Sequence, residues 1–226
     1  MAAQRPSYFS HGEDPYDALC RHFNVSPPHL TDNSVPTTLS LRVLRNEGLP
    51  THVLAAYQSD SPSGPTTTTP PTFIPIDASL YEAVFRVDLG FPSPPPGFTG
   101  PAAQVVGDAL VVTLPVLAVT VPDPFTLPLL LLFALGFETE PNLLAWRMLP
   151  SQVIQEFPNA AAMALILARA RSDQFDRIYR FNQGLWKNIL GLGLNDTKVV
   201  ELVQTAWNVT AESRRIRAKA AQNNRQ

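Results

Sequence analysis

Apolar residues concentrate in one stretch near the middle of the chain, residues 110–136, and the other predicted elements are arranged before and after it. Two β-branched runs, residues 109–114 and 116–121, predict strands. Pro115 lies between them and predicts a bend or a strand edge rather than one long strand, because proline cannot donate to a sheet ladder.

The second part of this stretch predicts a turn and a buried helix. Pro122-Asp123-Pro124 is typical of a turn. Residues 129–135 are apolar on every side, so the helix they form must be covered by protein. Thr126 is a candidate cap for that helix, and Gly136 is a candidate stop.

The pattern in front of this stretch predicts three strands and two short helices. Residues 37–58 alternate about a turn and predict a β-hairpin. Residues 16–25 predict a short helix, and residues 73–90 predict a strand followed by a helix, with Asp77 as the first candidate cap and Ser79 as the second. The first helix is predicted to bury Leu19, Cys20 and Phe23. In the second helix, Leu80, Val84 and Val87 are predicted to lie on one face, with Tyr81 and Phe85 next to that face.

The pattern behind it is helical throughout. Apolar residues recur at helical spacing between clear stop signals, and Asn159 is a candidate cap. Five helices are predicted, at residues 141–148, 151–157, 160–171 and 173–190, with the last one beginning at Asn195 or Asp196.

These elements predict a single α+β domain, with a small β portion in front of a mainly α-helical bundle. We expect an N-terminal extension at residues 1–36, the domain at 37–210 with its helical part at 141–210, and a basic C-terminal tail at 211–226. Pro-rich segments at 59–72 and 91–102 predict flexible loops, because they contain few apolar residues to offset the entropy of ordering.

Composition adds a charge asymmetry to this picture. The chain has 226 residues, 45% hydrophobic and 16% charged, with a net charge of −2. Residues 1–170 hold 7 basic and 14 acidic side chains, a balance of −7, whereas residues 171–226 hold 10 and 5, a balance of +5. The basic C-terminal part of the chain complements the acidic front part, carries solvated charge, or attracts an acidic partner.

The sequence offers little that is typical of catalysis. No Gly-rich phosphate loop, no Ser nucleophile motif and no paired carboxylates are evident, so we expect no enzyme activity, no cofactor and no metal. Cys20 with a nearby histidine such as His22 stays open as an alternative nucleophilic pair. The single cysteine and the absence of an apolar leader pattern indicate an intracellular protein of the nucleus or cytoplasm, with no membrane segment.

The end of the chain predicts a second kind of contact. Arg214, Arg215, Arg217 and Lys219 form a basic segment that could contact nucleic acid, although no aromatic residues are interleaved with them. Nucleic-acid association is therefore an alternative function. The preferred interpretation is docking of a protein partner through a helix groove or an exposed strand edge. The candidate contact residues are Phe125, Leu129, Phe133, Arg214, Arg215, Arg217 and Lys219.

Two segments carry a resemblance to a known family. The turn with Pro122, Asp123, Pro124 and Phe125 before Leu129-Leu130 is one, and the later run with Gly184, Leu185, Trp186, Asn188, Gly191, Gly193, Ala206 and Trp207 is the other. Together they resemble the clampless-type proteins of basidiomycete fungi, over roughly residues 110–210. Residues 127–136 also look like the strand-to-helix core of BTB/POZ domains, without the Tyr-Thr of that motif.

The resemblance implies a non-enzymatic regulator of fungal sexual development, involved in dikaryon maintenance and clamp formation. Its implied partners are proteins, including transcription factors of the mating pathway, and a homodimer is left open. Both resemblances imply partner binding.

Overall fold

The computed structural model describes residues 7–28, 35–59, 70–92 and 100–223, with only the backbone at residues 10 and 11. These ranges form one α+β fold, as predicted. The strands are β1 (Thr38–Arg42), β2 (His52–Gln58), β3 (Thr72–Ile76), β4 (Gln104–Val106) and β5 (Ala109–Val121). The helices are α1 (Pro15–His22), α2 (Ala78–Val84), α3 (Leu127–Ala134), α4 (Pro141–Met148), α5 (Ser151–Ile154), α6 (Ala160–Ala168), α7 (Ser172–Leu192) and α8 (Thr197–Asn223). Residues 60–69 and 93–99, which make up most of the two predicted flexible loops, lie outside the described ranges.

Strand β5 is the centre of the sheet, whose order is β1-β5-β2-β3, with β4 also paired to β5. Residues 111–115 pair antiparallel with β1, and residues 116–121 pair parallel with β2. The expectation of two separate pieces is wrong, because residues 109–121 form one strand. Val116 N donates to Thr37 O on the β1 side. The nitrogen of Pro115 therefore faces the opposite edge, just before pairing with β2 begins, where its missing donor is tolerated.

The predicted hairpin is also wrong. Both strands within residues 37–58 form, but β5 lies between β1 and β2 in the sheet. The alternation of β1 is as predicted, with Leu39 and Leu41 buried and Ser40 exposed. Alternation shows which side of a strand is buried and leaves its neighbour undetermined, so a strand from far along the chain can take the place between them.

Helix α2 buries a different face from the predicted one. Tyr81 and Phe85 are buried and their rings stack at 4.6 Å between centroids, whereas Leu80 and Val87 are exposed. The helix ends at Val84, so it has about two turns and Val87 is not part of it. The predicted cap is confirmed, because the Asp77 side chain accepts a hydrogen bond from Leu80 N.

Helix α3 is buried on all sides, as the sequence predicts, although Thr126 makes no side-chain cap bond. Helix α1 packs directly against it. The predicted buried side of α1 is confirmed at Leu19, Cys20 and Phe23. Within the described ranges, none of the helices is both long and apolar enough to cross a membrane.

The remainder of the fold consists of helices α4 to α8. Asn159 caps α6, as predicted, by accepting from Ala162 N. Helix α8 packs against α6 and α7 and continues without a break through residue 211, where the sequence predicts the start of a basic tail. Ser213 in this part of α8 is fully buried and donates to Ala164 O of α6 at 3.0 Å. Residues 211–217 are therefore helix packed on one side against the fold, whereas residues 218–223 continue the helix with exposed side chains.

Candidate functional site

The turn between β5 and α3 is held in place by one side chain of α7. Asn188 is fully buried, and its Oδ1 accepts from Asp123 N at 3.0 Å. Its Nδ2 donates to Asp123 O at 2.6 Å and to Thr126 Oγ1 at 3.1 Å. One amide thus satisfies three polar groups of the turn, which fixes the position of the turn against α7.

Two glycines of α7 let the turn approach the helix backbone closely. A Cβ at Gly184 would lie 1.7 Å from Asp123 Oδ2, and a Cβ at Gly191 would lie 2.8 Å from Pro122 Cγ. Glycine inside a helix costs about 1 kcal/mol relative to alanine. The close packing of the turn against α7 offsets that cost.

Asp123 also shapes the turn that contains it. Its Oδ1 accepts from Phe125 N at 3.0 Å, the Asx pattern that stabilises tight turns. Burial raises the pKa of this carboxyl, and hydrogen bonds from the Phe125 and Thr126 backbones and the Thr126 hydroxyl oppose the rise. The backbone of Phe125 is therefore fixed, because its own N–H is bonded to Asp123 and because Asn188 holds Asp123 shortly before it and Thr126 directly after it.

Phe125 itself points away from the core. Its side chain is 77% exposed, in contrast to the fully buried Thr126 beside it. Phe125 is one of several apolar side chains at this place, and a contiguous apolar patch, rather than a single exposed residue, is what marks a binding surface. Its ring lies edge-to-face with Phe181 of α7, at 6.5 Å between centroids.

A groove opens beside Phe125, and we name it the aromatic groove. It has a volume of about 650 Å³. Trp146 of α4 lines it and is 60% exposed. Its lining also includes Asp123, Phe125, Leu149, Ile178, Phe181 and three arginines, Arg147, Arg177 and Arg180. A smaller cleft of about 400 Å³ shares Phe125, Arg147 and Phe181.

Two of the predicted contact residues lie in the core. Leu129 is 1% exposed and Phe133 is 5% exposed, because all sides of α3 are covered. A partner could reach them only if α3 moved. Of the three predicted apolar contacts, Phe125 is the one that the fold presents on its surface.

Arg214 and Arg217 of α8 make contacts within the protein. Arg217 Nη1 donates to Ala168 O at 2.9 Å and Ala170 O at 2.7 Å, and its guanidinium lies over the Phe175 ring. It therefore occupies the last carbonyl of α6 and a carbonyl in the connection that follows it. Arg214 donates to the Tyr179 hydroxyl and lies over its ring.

The other two predicted basic contacts are exposed. Arg215 pairs with Glu212 at 3.0 Å, and Lys219 points to solvent. A second groove, of about 1020 Å³, lies where α6, α7 and α8 meet, and we name it the basic groove. Its lining includes Arg169, Phe175, Tyr179, Arg180, Arg214 and Arg217. Phe125 belongs to the aromatic groove, so the seven predicted residues do not share one site.

Cys20 does not have the environment of a nucleophile. Its side chain is 1% exposed, and burial raises the pKa of its thiol to about 12. His22 stacks on Phe137 at 3.6 Å between centroids, and its Nδ1 lies 2.8 Å from the Tyr8 hydroxyl. The side chain of His11 and all of His29 lie outside the described ranges. Among the residues that are described, no three His, Cys, Asp or Glu side chains are grouped as a metal site would require.

Sequence reasoning missed two parts of the surface around Phe125. Trp146 is the largest exposed aromatic side chain of the aromatic groove, and its single position in a short helix gives no periodic signal. Apolar residues at helical spacing in α7 predict a buried stripe that includes Phe181, yet Phe181 is half-buried and lies beside Phe125. The glycines of α7 were a usable signal, because glycine within a helix often marks a close approach.

Comparison with known proteins adds no relative: no family model, no curated protein and no solved structure matches the chain.

Proposed function

We propose that this protein is a non-enzymatic protein-interaction module that binds a large apolar side chain of a protein partner in the aromatic groove. The observation that carries the proposal is the 77% exposure of Phe125 on a turn fixed by the buried Asn188. Exposed aromatic residues held rigidly beside a pocket are typical anchors of interfaces. A fixed anchor also loses little conformational entropy on binding.

The proposal extends to regulation of fungal sexual development, on the basis of the resemblance to clampless-type proteins. Its support is that the two resembling segments meet in space. Asp123 of the turn is bonded to Asn188 and packed against Gly184 of α7. In this proposal the partners are proteins of the mating pathway, including transcription factors, in the nucleus or cytoplasm. A second copy of the chain is an alternative protein partner.

The two alternative functions have less support. Nucleic-acid binding would use the basic end of the chain, where Arg214 and Arg217 already make internal contacts. Catalysis would use Cys20, whose thiol stays protonated near neutral pH because its pKa is about 12.

A site-specific crosslinking experiment tests the docking site. A photoreactive phenylalanine analogue is placed at position 125, and in a control protein at position 157, where Phe157 is also exposed, at 67%. After irradiation in fungal extract, we expect a discrete crosslinked protein from position 125 that is absent from position 157. The crosslink should be lost in Trp146→Ala, which removes another aromatic side chain that lines the aromatic groove.

Binding of the purified crosslinked protein completes the test. We expect Phe125→Ala to raise its Kd by at least about tenfold, as for a typical interface anchor, while the melting temperature stays unchanged because the side chain is exposed. Equal crosslinking from positions 125 and 157, or a Kd unaffected by both substitutions, would overturn the proposal. A crosslinked species that is nucleic acid would favour the alternative function.

A further inference from the structure

The lining of the two grooves has an excess of positive charge. The aromatic groove contains three arginines and one acidic residue, Asp123, and the basic groove contains four arginines and one acidic residue, Asp176. Arg180 lines both, so the surface has six different arginines and two acids, a balance of 6 − 2 = +4. The six are Arg147, Arg169, Arg177, Arg180, Arg214 and Arg217.

Three of these arginines are occupied within the protein. Arg147 Nη2 donates to Glu13 O at 2.6 Å, and its guanidinium lies over the Phe9 ring. Arg214 and Arg217 hold α8 against α7 and α6, as described above. These three shape the walls of the grooves and have fewer donors left for a ligand.

The other three arginines are exposed and available. Arg169 and Arg180 make no ion pair with any residue in the described ranges, and Arg177 reaches Asp173 only at 3.9 Å. Arg177 and Arg180 are three residues apart on α7, so they are neighbours on one helix face. Arg180 lies at the boundary between the two grooves.

Apolar and charged features therefore lie side by side on this surface. Phe125, Trp146 and Ile178 line a groove for an apolar side chain, and the available arginines lie at its edge and beyond it. Carboxylates on a bound chain would pair with Arg169 and Arg180, which make no ion pair among the described residues, and with Arg177, whose contact with Asp173 is long. Such pairs give orientation and faster association.

We infer that the partner segment is an acidic amphipathic peptide, with an aromatic or large aliphatic anchor in the aromatic groove and carboxylates on Arg177, Arg180 and Arg169. This inference rests on the proposed function, because it takes the groove at Phe125 as the docking site. The aliphatic wall formed by Leu149 and Ile178 favours a side-chain anchor over a stacked nucleobase.

Peptide selection tests the inference without knowledge of the natural partner. A displayed library of random peptides about 16 residues long, enough for about four helical turns, is selected on the full chain. We expect the enriched peptides to carry net negative charge and at least one aromatic or large aliphatic residue. Their Kd is then measured by fluorescence polarisation with synthetic peptides, including a version in which each Glu and Asp is replaced by its amide.

Matched variants identify the contacts. Arg177→Gln/Arg180→Gln is expected to raise the Kd of the acidic peptides by at least about tenfold, as is the amide version of the peptide. Arg215→Gln is the control, because it removes an exposed arginine that lines neither groove, and it should change the Kd by less than about twofold.

The outcomes separate this inference from the proposed function. Enriched peptides that are released by Phe125→Ala but show no acidic preference would overturn the inference and leave the docking site standing. Peptides insensitive to Phe125→Ala, or a selection that enriches none, would overturn both. Competition of the peptides by single-stranded DNA at the same arginines, lost at high salt, would favour nucleic acid and overturn the acidic-peptide partner.

Discussion

At the scale of single residues, position 184 tests how closely the turn must approach α7. Gly184→Ala would normally stabilise a helix by up to about 1 kcal/mol. Here the new Cβ would lie 1.7 Å from Asp123 Oδ2, so we expect a loss of about 2–4 kcal/mol in the free energy of unfolding. Urea denaturation measures it.

A double variant isolates the cause of that loss. Asp123→Ala removes the carboxylate that the new methyl group would meet, so Asp123→Ala/Gly184→Ala should lose less stability than the sum of the two single variants. Additive losses, or a Gly184→Ala protein more stable than the wild type, would contradict the close approach described here.

Cys20 gives a second prediction at this scale. Its pKa of about 12 leaves little thiolate at pH 8, so alkylation by iodoacetamide should be at least about a hundredfold slower in the folded protein than in urea. Because burial raises the pKa of the Cys20 thiol, the stability that the protonated thiol contributes to the fold is complete below the pKa of the unfolded thiol. That contribution is lost as the pH rises toward 12. Mass spectrometry of labelled protein follows the reaction. Rapid labelling of the folded chain would restore the nucleophile alternative.

At the scale of elements, two arginines of α8 differ in role although they lie two residues apart. Arg217→Ala removes the donors to Ala168 O and Ala170 O and leaves both carbonyls without these partners. We expect it to lower the free energy of unfolding by about 2 kcal/mol. Arg215→Ala removes the same charge from an exposed ion pair and should change it by less than about 0.5 kcal/mol. Thermal unfolding of both proteins, side by side, makes the comparison, and equal effects would mean that the end of α8 is a tail.

Local signals of the elements were readable from the sequence. Asp77 and Asn159 cap their helices, and α3 is buried because its residues are apolar on every side. The pairing of the strands could not be predicted, because the alternation of apolar and polar residues along a strand does not determine which strand lies next to it. The single strand β5 was missed because Pro115 breaks a ladder only where its nitrogen faces a partner, and that depends on the strands on either side.

At the scale of the whole molecule, the sequence indicates only part of the surface that forms the proposed site. Phe125 was selected as a contact, but its neighbours come from α4 and α7, and sequence spacing cannot show that Trp146 and Phe181 lie near it. Leu129 and Phe133 were selected from the same apolar run, and the fold places both in the core. The basic character of residues 171–226 was readable from the sequence. Which of their arginines hold helices together and which face solvent depends on the packing of α8.

The N-terminal region provides the last prediction, because its role decides how many cooperative units the molecule has. The pattern predicts an extension at residues 1–36, yet Leu19 of α1 is fully buried in the same core as α3. Leu19→Ala should lower the free energy of unfolding by about 3 kcal/mol, as for a buried leucine, and should shift the whole transition.

Leu44→Ala, at a leucine that is 56% exposed, is the control and should change the free energy of unfolding by less than about 0.5 kcal/mol. Near- and far-ultraviolet circular dichroism should then give one coincident melting curve. A separate early transition in Leu19→Ala, with the main one unmoved, would mean that α1 folds as an extension on an independent domain.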